Sequence, residues 1–133
     1  MFARREPPLR CRSQKAVQYR RWVAFGVVAI AFFLIAINGE MYTLTSPPAL
    51  SFHVLLRKSY SIVAFALIGG AFVWASGASM RTAALVVAAY SCAIEIAQHF
   101  TYGKEPFSWN VIDVLCGAGG GSLGALIPGV RAR

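Results

Sequence analysis

Glu95, Gln98 and His99 stand close together in the chain, and Asp113 follows after a short polar loop. Residues three and four apart share one face of a helix. Ser91, four before Glu95, joins that face. Two carboxylates beside a histidine can act as general acid and base, can hold a cation, or can bind a charged head group. The chain has 5 acidic residues, and only Glu95 and Asp113 fall inside apolar segments. A carboxylate at bilayer depth costs roughly 3 kcal/mol or more, so it turns toward a partner or a cavity. Lys58 or Lys104 is the expected partner, making a charged site at one membrane boundary.

Other reactive patterns are weak. No H-E-x-x-H is present. Gly120-Gly-Ser122-Leu-Gly124 reads as G-x-S-x-G, but that motif needs a strand-turn-helix elbow and here it falls in a glycine-rich apolar helix. The 3 cysteines, Cys11, Cys92 and Cys116, form no C-x-x-C pair, so neither a zinc site nor a structural disulfide is indicated. Neither a metal nor a cofactor is expected, and no catalytic residue is assigned beyond Glu95 and Asp113 as candidates.

These residues must be positioned by helices. Hydrophobic residues make up 57% of the chain and charged residues 14%, against about 25% charged in a soluble domain. The mean hydropathy is +0.57. A tail of residues 1–21 precedes four apolar segments at about 22–38, 60–76, 82–100 and 111–130. Each is long enough to cross about 30 Å of hydrocarbon as a helix. An open strand edge would find no water there. The expectation is an all-α, four-helix transmembrane bundle over residues 22–133. A tight turn containing Gly77 and Ser79 joins the second and third segments, and Ser46-Pro47-Pro48 marks irregular backbone between the first and second.

Charge sets the orientation. The net charge is +8, and 7 of the 13 basic residues lie in the first 21 positions. With both ends inside, that tail, Arg81, Arg131 and Arg133 are cytosolic, leaving only Arg57, Lys58 and Lys104 outside. The positive-inside rule selects this N-in/C-in arrangement in a cell inner membrane. A basic flank running straight into an apolar segment is a membrane signature, and no nucleic-acid partner is expected. Gly117 with Gly121, and Gly120 with Gly124, have the small-xxx-small spacing of close helix packing. Asp113 sits one turn before Gly117 on the same face.

One family has a similar pattern. Glu95-Ile-Ala-Gln98, a Gly103-Lys104 loop, then Asp113-Val-Leu-Cys-Gly117 with Gly120 and Gly124, resembles the VanZ-like family over roughly 51–127. That family shows E-x-x-Q, a G-R loop and D-x-x-x-N-x-x-G-x-x-x-G. Lys58 and Phe65 resemble its D-K-x-x-H-x-x-x-F stretch. Lys104 stands in place of arginine, Gly117 of asparagine, Ser61 of histidine and Arg57 of aspartate. The resemblance implies a small bacterial membrane protein of the cell envelope, named for a link to teicoplanin resistance. Lys58, Glu95, Gln98, His99, Lys104 and Asp113 would form an outer binding site. The implied partners are membrane lipids and a lipid-linked envelope precursor or glycopeptide. The alternatives are an intramembrane enzyme using the two carboxylates, or a small ion-coupled carrier that would need to form a homo-oligomer.

Overall fold

The computed structural model describes residues 9–45, 52–102 and 107–127. The described chain is helical and contains no strand. The helices are α1 (Leu9–Ala36), α2 (Gly39–Thr45), α3 (His53–Ser76), α4 (Met80–Tyr102) and α5 (Phe107–Gly124). Three stretches, Gln14–Ala36, Lys58–Ser76 and Met80–Thr101, are long and apolar enough to cross a membrane. α5, 18 residues long, is not among these three stretches. Large apolar side chains cover the outside: Ile30 is 63% exposed, Leu67 63% and Leu85 72%. Water would penalise such a surface, whereas lipid accepts it.

Local chemistry sets the ends of the helices. Asn38 caps α2, its Oδ1 accepting from the Glu40 and Met41 amides at 3.0 and 3.3 Å. α3 stops at Gly77, whose φ of +70° is left-handed and whose amide donates to Val73 O at 2.7 Å. Ser79 then starts α4: its Oγ accepts from the Thr82 amide at 3.2 Å. The turn between α3 and α4 is thus three residues long. Four features depart from the segment boundaries read from the chain. α1 begins at Leu9, so much of the basic tail is helix continuous with the apolar stretch; α2 is an additional element; α3 begins at His53 rather than about 60, so Lys58 lies within the helix; and α5 runs Phe107–Gly124 rather than 111–130. Ser46, Pro47 and Pro48 lie outside the described residues.

The contacts show how the helices run. α5 lies between α3 and α4 and packs closely on both. Lys58 meets Asp113 near the start of α3 and α5, and Gly70 meets Gly124 near their ends. α3 and α5 therefore run parallel. Ser91 reaches Asp113, while Val87 packs on Gly121, so α4 runs opposite to α5. α1 lies across α3 and α4. It opposes α3, with Trp22 against Phe72 and Phe32 against Phe65. It is parallel to α4, with Tyr90 Oη donating to Ala29 O at 2.6 Å and Gln98 Nε2 to Ala36 O at 2.8 Å. The long helices alternate in direction, as short connections require. The core is formed by Phe65, Ile68, Val87 and Ile94 at one level, with Phe72, Val73, Ala83 and Ala125 at another.

Candidate functional site

Lys58 lies near the start of α3 and Asp113 near the start of α5. Parallel packing of the two helices puts them at one level. Their side chains form a direct ion pair between Nζ and Oδ1. Lys58 is 9% exposed and Asp113 8%, so the pair is largely removed from solvent. A buried ammonium is costly unless an opposite charge sits beside it. Asp113 supplies the charge that makes the lysine tolerable there. Two small residues make room: Ser91 is 1% exposed, and its Oγ donates to the Asp113 carbonyl at 3.0 Å. A Cβ on Gly117 would meet Ser91 Cβ at 2.7 Å. A larger side chain such as asparagine at this position would need α4 to move.

The rest of the cluster separates. At about 100° per residue, Ser91, Glu95, Gln98 and His99 spread over an arc of about 100° on α4. Ser91 faces α5. Gln98 faces α1, through its bond to Ala36 O. Glu95 and His99 instead line a groove of about 500 Å³ between α4 and α5. Asn110, Val114 and Leu115 form the α5 side of that groove. Asp113 is not part of its lining. Lys104, which the sequence placed near them, lies outside the described residues. The remaining sequence candidates, Gly117, Gly120, Gly121 and Gly124, are buried against α3 and α4.

The groove is largely apolar along its length. α4 and α5 are antiparallel, so His99, Phe100, Asn110 and Val111 lie toward one end, with Cys92 and Leu115 toward the other. Glu95 lies between. Ile96 is 56% exposed and Leu115 65%, so the groove opens on the apolar outside of the protein. An elongated, mainly apolar molecule fits such a groove. Asn110 was not singled out in the sequence; its place three residues before Asp113, at the start of α5, was the available signal.

Two sequence patterns are resolved by geometry. Ser122 of the G-x-S-x-G match sits inside α5, and its hydroxyl donates to Ala118 O at 2.9 Å. No strand-turn-helix elbow is formed there. Among the described residues, no three of His, Cys, Asp and Glu come close enough together to hold a metal ion.

The bonds from α4 to α1 give a modest prediction. Tyr90→Phe and Gln98→Leu should each lower the unfolding free energy by about 0.6 kcal/mol, the usual size of a hydrogen bond between membrane helices. Reversible unfolding in mixed micelles measures this; a loss several times larger would assign these side chains a role beyond a single bond.

No family model, curated protein or solved structure matches the chain.

Proposed function

We propose that the chain is a multi-pass protein of the cell inner membrane, VanZ-like in character, that binds an amphiphile at the outer face. In this reading α1, α3, α4 and α5 form a four-helix transmembrane bundle with both termini in the cytoplasm. The apolar exterior, the alternating helix directions and the basic N-terminal flank support it. The observation that carries the binding function is the α4–α5 groove. It opens on the exposed apolar side of the protein, with His99 and Asn110 beside Phe100 and Val111 at one end; in this reading that end faces the outer leaflet. The ligand class is a lipid-linked cell-envelope precursor or a lipoglycopeptide. Such a site would give the protein a part in envelope tolerance to glycopeptides such as teicoplanin. An enzyme with paired carboxylates or an ion-coupled carrier would need Asp113 available for proton or ion exchange. Its pairing with Lys58 favours binding over both.

The test uses protein reconstituted in nanodiscs and two probes, teicoplanin and a dansyl-labelled polyprenyl-linked disaccharide. Val114→Trp fills the groove from the α5 side and should weaken probe binding at least about tenfold, the loss of about 1.4 kcal/mol. Thermal stability should be retained. If Val114→Trp binds both probes like the parent, the groove is not the binding site.

A further inference from the structure

The end of the molecule opposite the Lys58–Asp113 pair carries charge of one sign. Lys15, Arg20 and Arg81 are exposed there, on the first turns of α1 and α4. The described chain contains three acidic residues, Glu40, Glu95 and Asp113, and all belong to the other end. No acid therefore neutralises this rim among the described residues.

The rim is also held in place. The Gln18 side chain donates to Ala75 O at the end of α3. Arg21 lies over the Trp74 ring, its Cζ 5.2 Å from the centroid. Trp22 packs edge-on against Phe72 at 6.0 Å between centroids. These contacts tie the basic turns of α1 to α3, so Lys15 and Arg20 project from an ordered helix. Directly alongside, Val23 is 46% exposed on α1 and Leu85 72% on α4. Cationic side chains thus sit next to apolar walls, with Trp22 and Trp74 where ring and water-facing edges meet.

We infer that this rim is a binding surface for the anionic phospholipid head groups of the inner leaflet. Guanidinium groups engage phosphate through paired hydrogen bonds, and a lysine adds a point charge. A zwitterionic lipid would bring its own ammonium against the same cations, so the surface discriminates by net head-group charge. The acyl chains would lie along the exposed faces of α1 and α4. This goes beyond the outer-groove reading and rests only on the chain being embedded in a membrane with this end inside.

The experiment uses the full chain in detergent, with dioleoyl phosphatidylglycerol or dioleoyl phosphatidylcholine added. Native mass spectrometry counts bound lipids, and thermal unfolding reads stabilisation. The parent protein should retain the anionic lipid at least about tenfold more strongly, and each basic residue removed should lower that preference about fivefold. Lys15→Gln, Arg20→Gln and Arg81→Gln combined should abolish it. Raised salt should also weaken it. Equal retention of the two lipids by the parent overturns the inference, as does an unchanged preference in the triple variant. Should the triple variant fail to fold, Arg20→Gln and Arg81→Gln alone are read against the same ratio, with an unchanged ratio in both overturning it. Protease digestion of an N-terminal tag from outside intact cells would overturn the inner-leaflet assignment by itself. Val114→Trp should leave the lipid preference intact, so this surface and the outer groove fail or stand independently.

Discussion

Lys58→Ala should lower the unfolding free energy by about 3–5 kcal/mol, the usual cost of leaving a buried charge without its partner. The stranded group is the Asp113 carboxylate, 8% exposed and held on a short side chain inside the packed helices. It has little reach toward water. Asp113→Asn removes the carboxylate from beside the Lys58 ammonium instead, and a lysine stem can turn its head toward water. The loss should therefore be smaller in Asp113→Asn than in Lys58→Ala. Replacing both residues, as Lys58→Met with Asp113→Leu, should recover most of the stability, because well-packed apolar groups often match or exceed a buried ion pair. A double-mutant cycle in mixed micelles measures the coupling. If the double variant is as unstable as the two single losses added together, the pair does not couple α3 to α5. The same protein supplies a functional contrast. Lys58 and Asp113 hold the helices together, so their variants should lose probe binding in step with folding, whereas Val114→Trp should lose binding alone.

Gly124→Ala is the second large effect. A Cβ there would collide with the Ala66 carbonyl oxygen and come within 2.6 Å of the Gly70 amide nitrogen. Both are backbone atoms, and no rotamer change relieves them. α3 and α5 would have to separate, which should cost about 3 kcal/mol, the upper range for overpacking a close-fitted site. Gly120→Ala is similar, with Phe65 Cβ at 2.6 Å and Ile62 O at 2.8 Å. Gly119 is the internal control, because a Cβ there would meet nothing within 4 Å. Gly119→Ala should be neutral or stabilising by up to about 1 kcal/mol, through helix propensity alone. Unfolding midpoints of the three variants read the difference. If Gly124→Ala and Gly119→Ala behave alike, α3 and α5 do not approach as closely as described.

The glycines show how far one-dimensional spacing reaches. Their small-xxx-small pattern announces a close helix contact, because a missing Cβ has little other use inside an apolar helix. It does not say which helix comes close. Gly120 and Gly124 admit α3, Gly117 admits α4, and Gly121 lies close to both, against Val87 of α4 and Gly69 of α3. One stripe thus serves two neighbours, since α5 is wedged between them. The polar residues of α4 make the same point. Their i, i+3 and i+4 spacing places them on one side of the helix, but that side is broad enough to face α5, the groove and α1 in turn.

From the sequence alone follow a helical chain suited to lipid, a charge asymmetry between its ends, and two acids that must each find company at depth. Composition and period suffice for these, because hydrocarbon penalises every unsatisfied polar group wherever it sits. Tertiary packing alone decided the rest: that Asp113 takes Lys58, that Glu95 turns into the groove with His99, and that the basic N-terminal residues ride on an ordered helix against α3. Each depends on which helix lies beside which and at what rotation. α3 and α5 are parallel neighbours with α4 between them in the chain, and no local pattern encodes a contact of that kind.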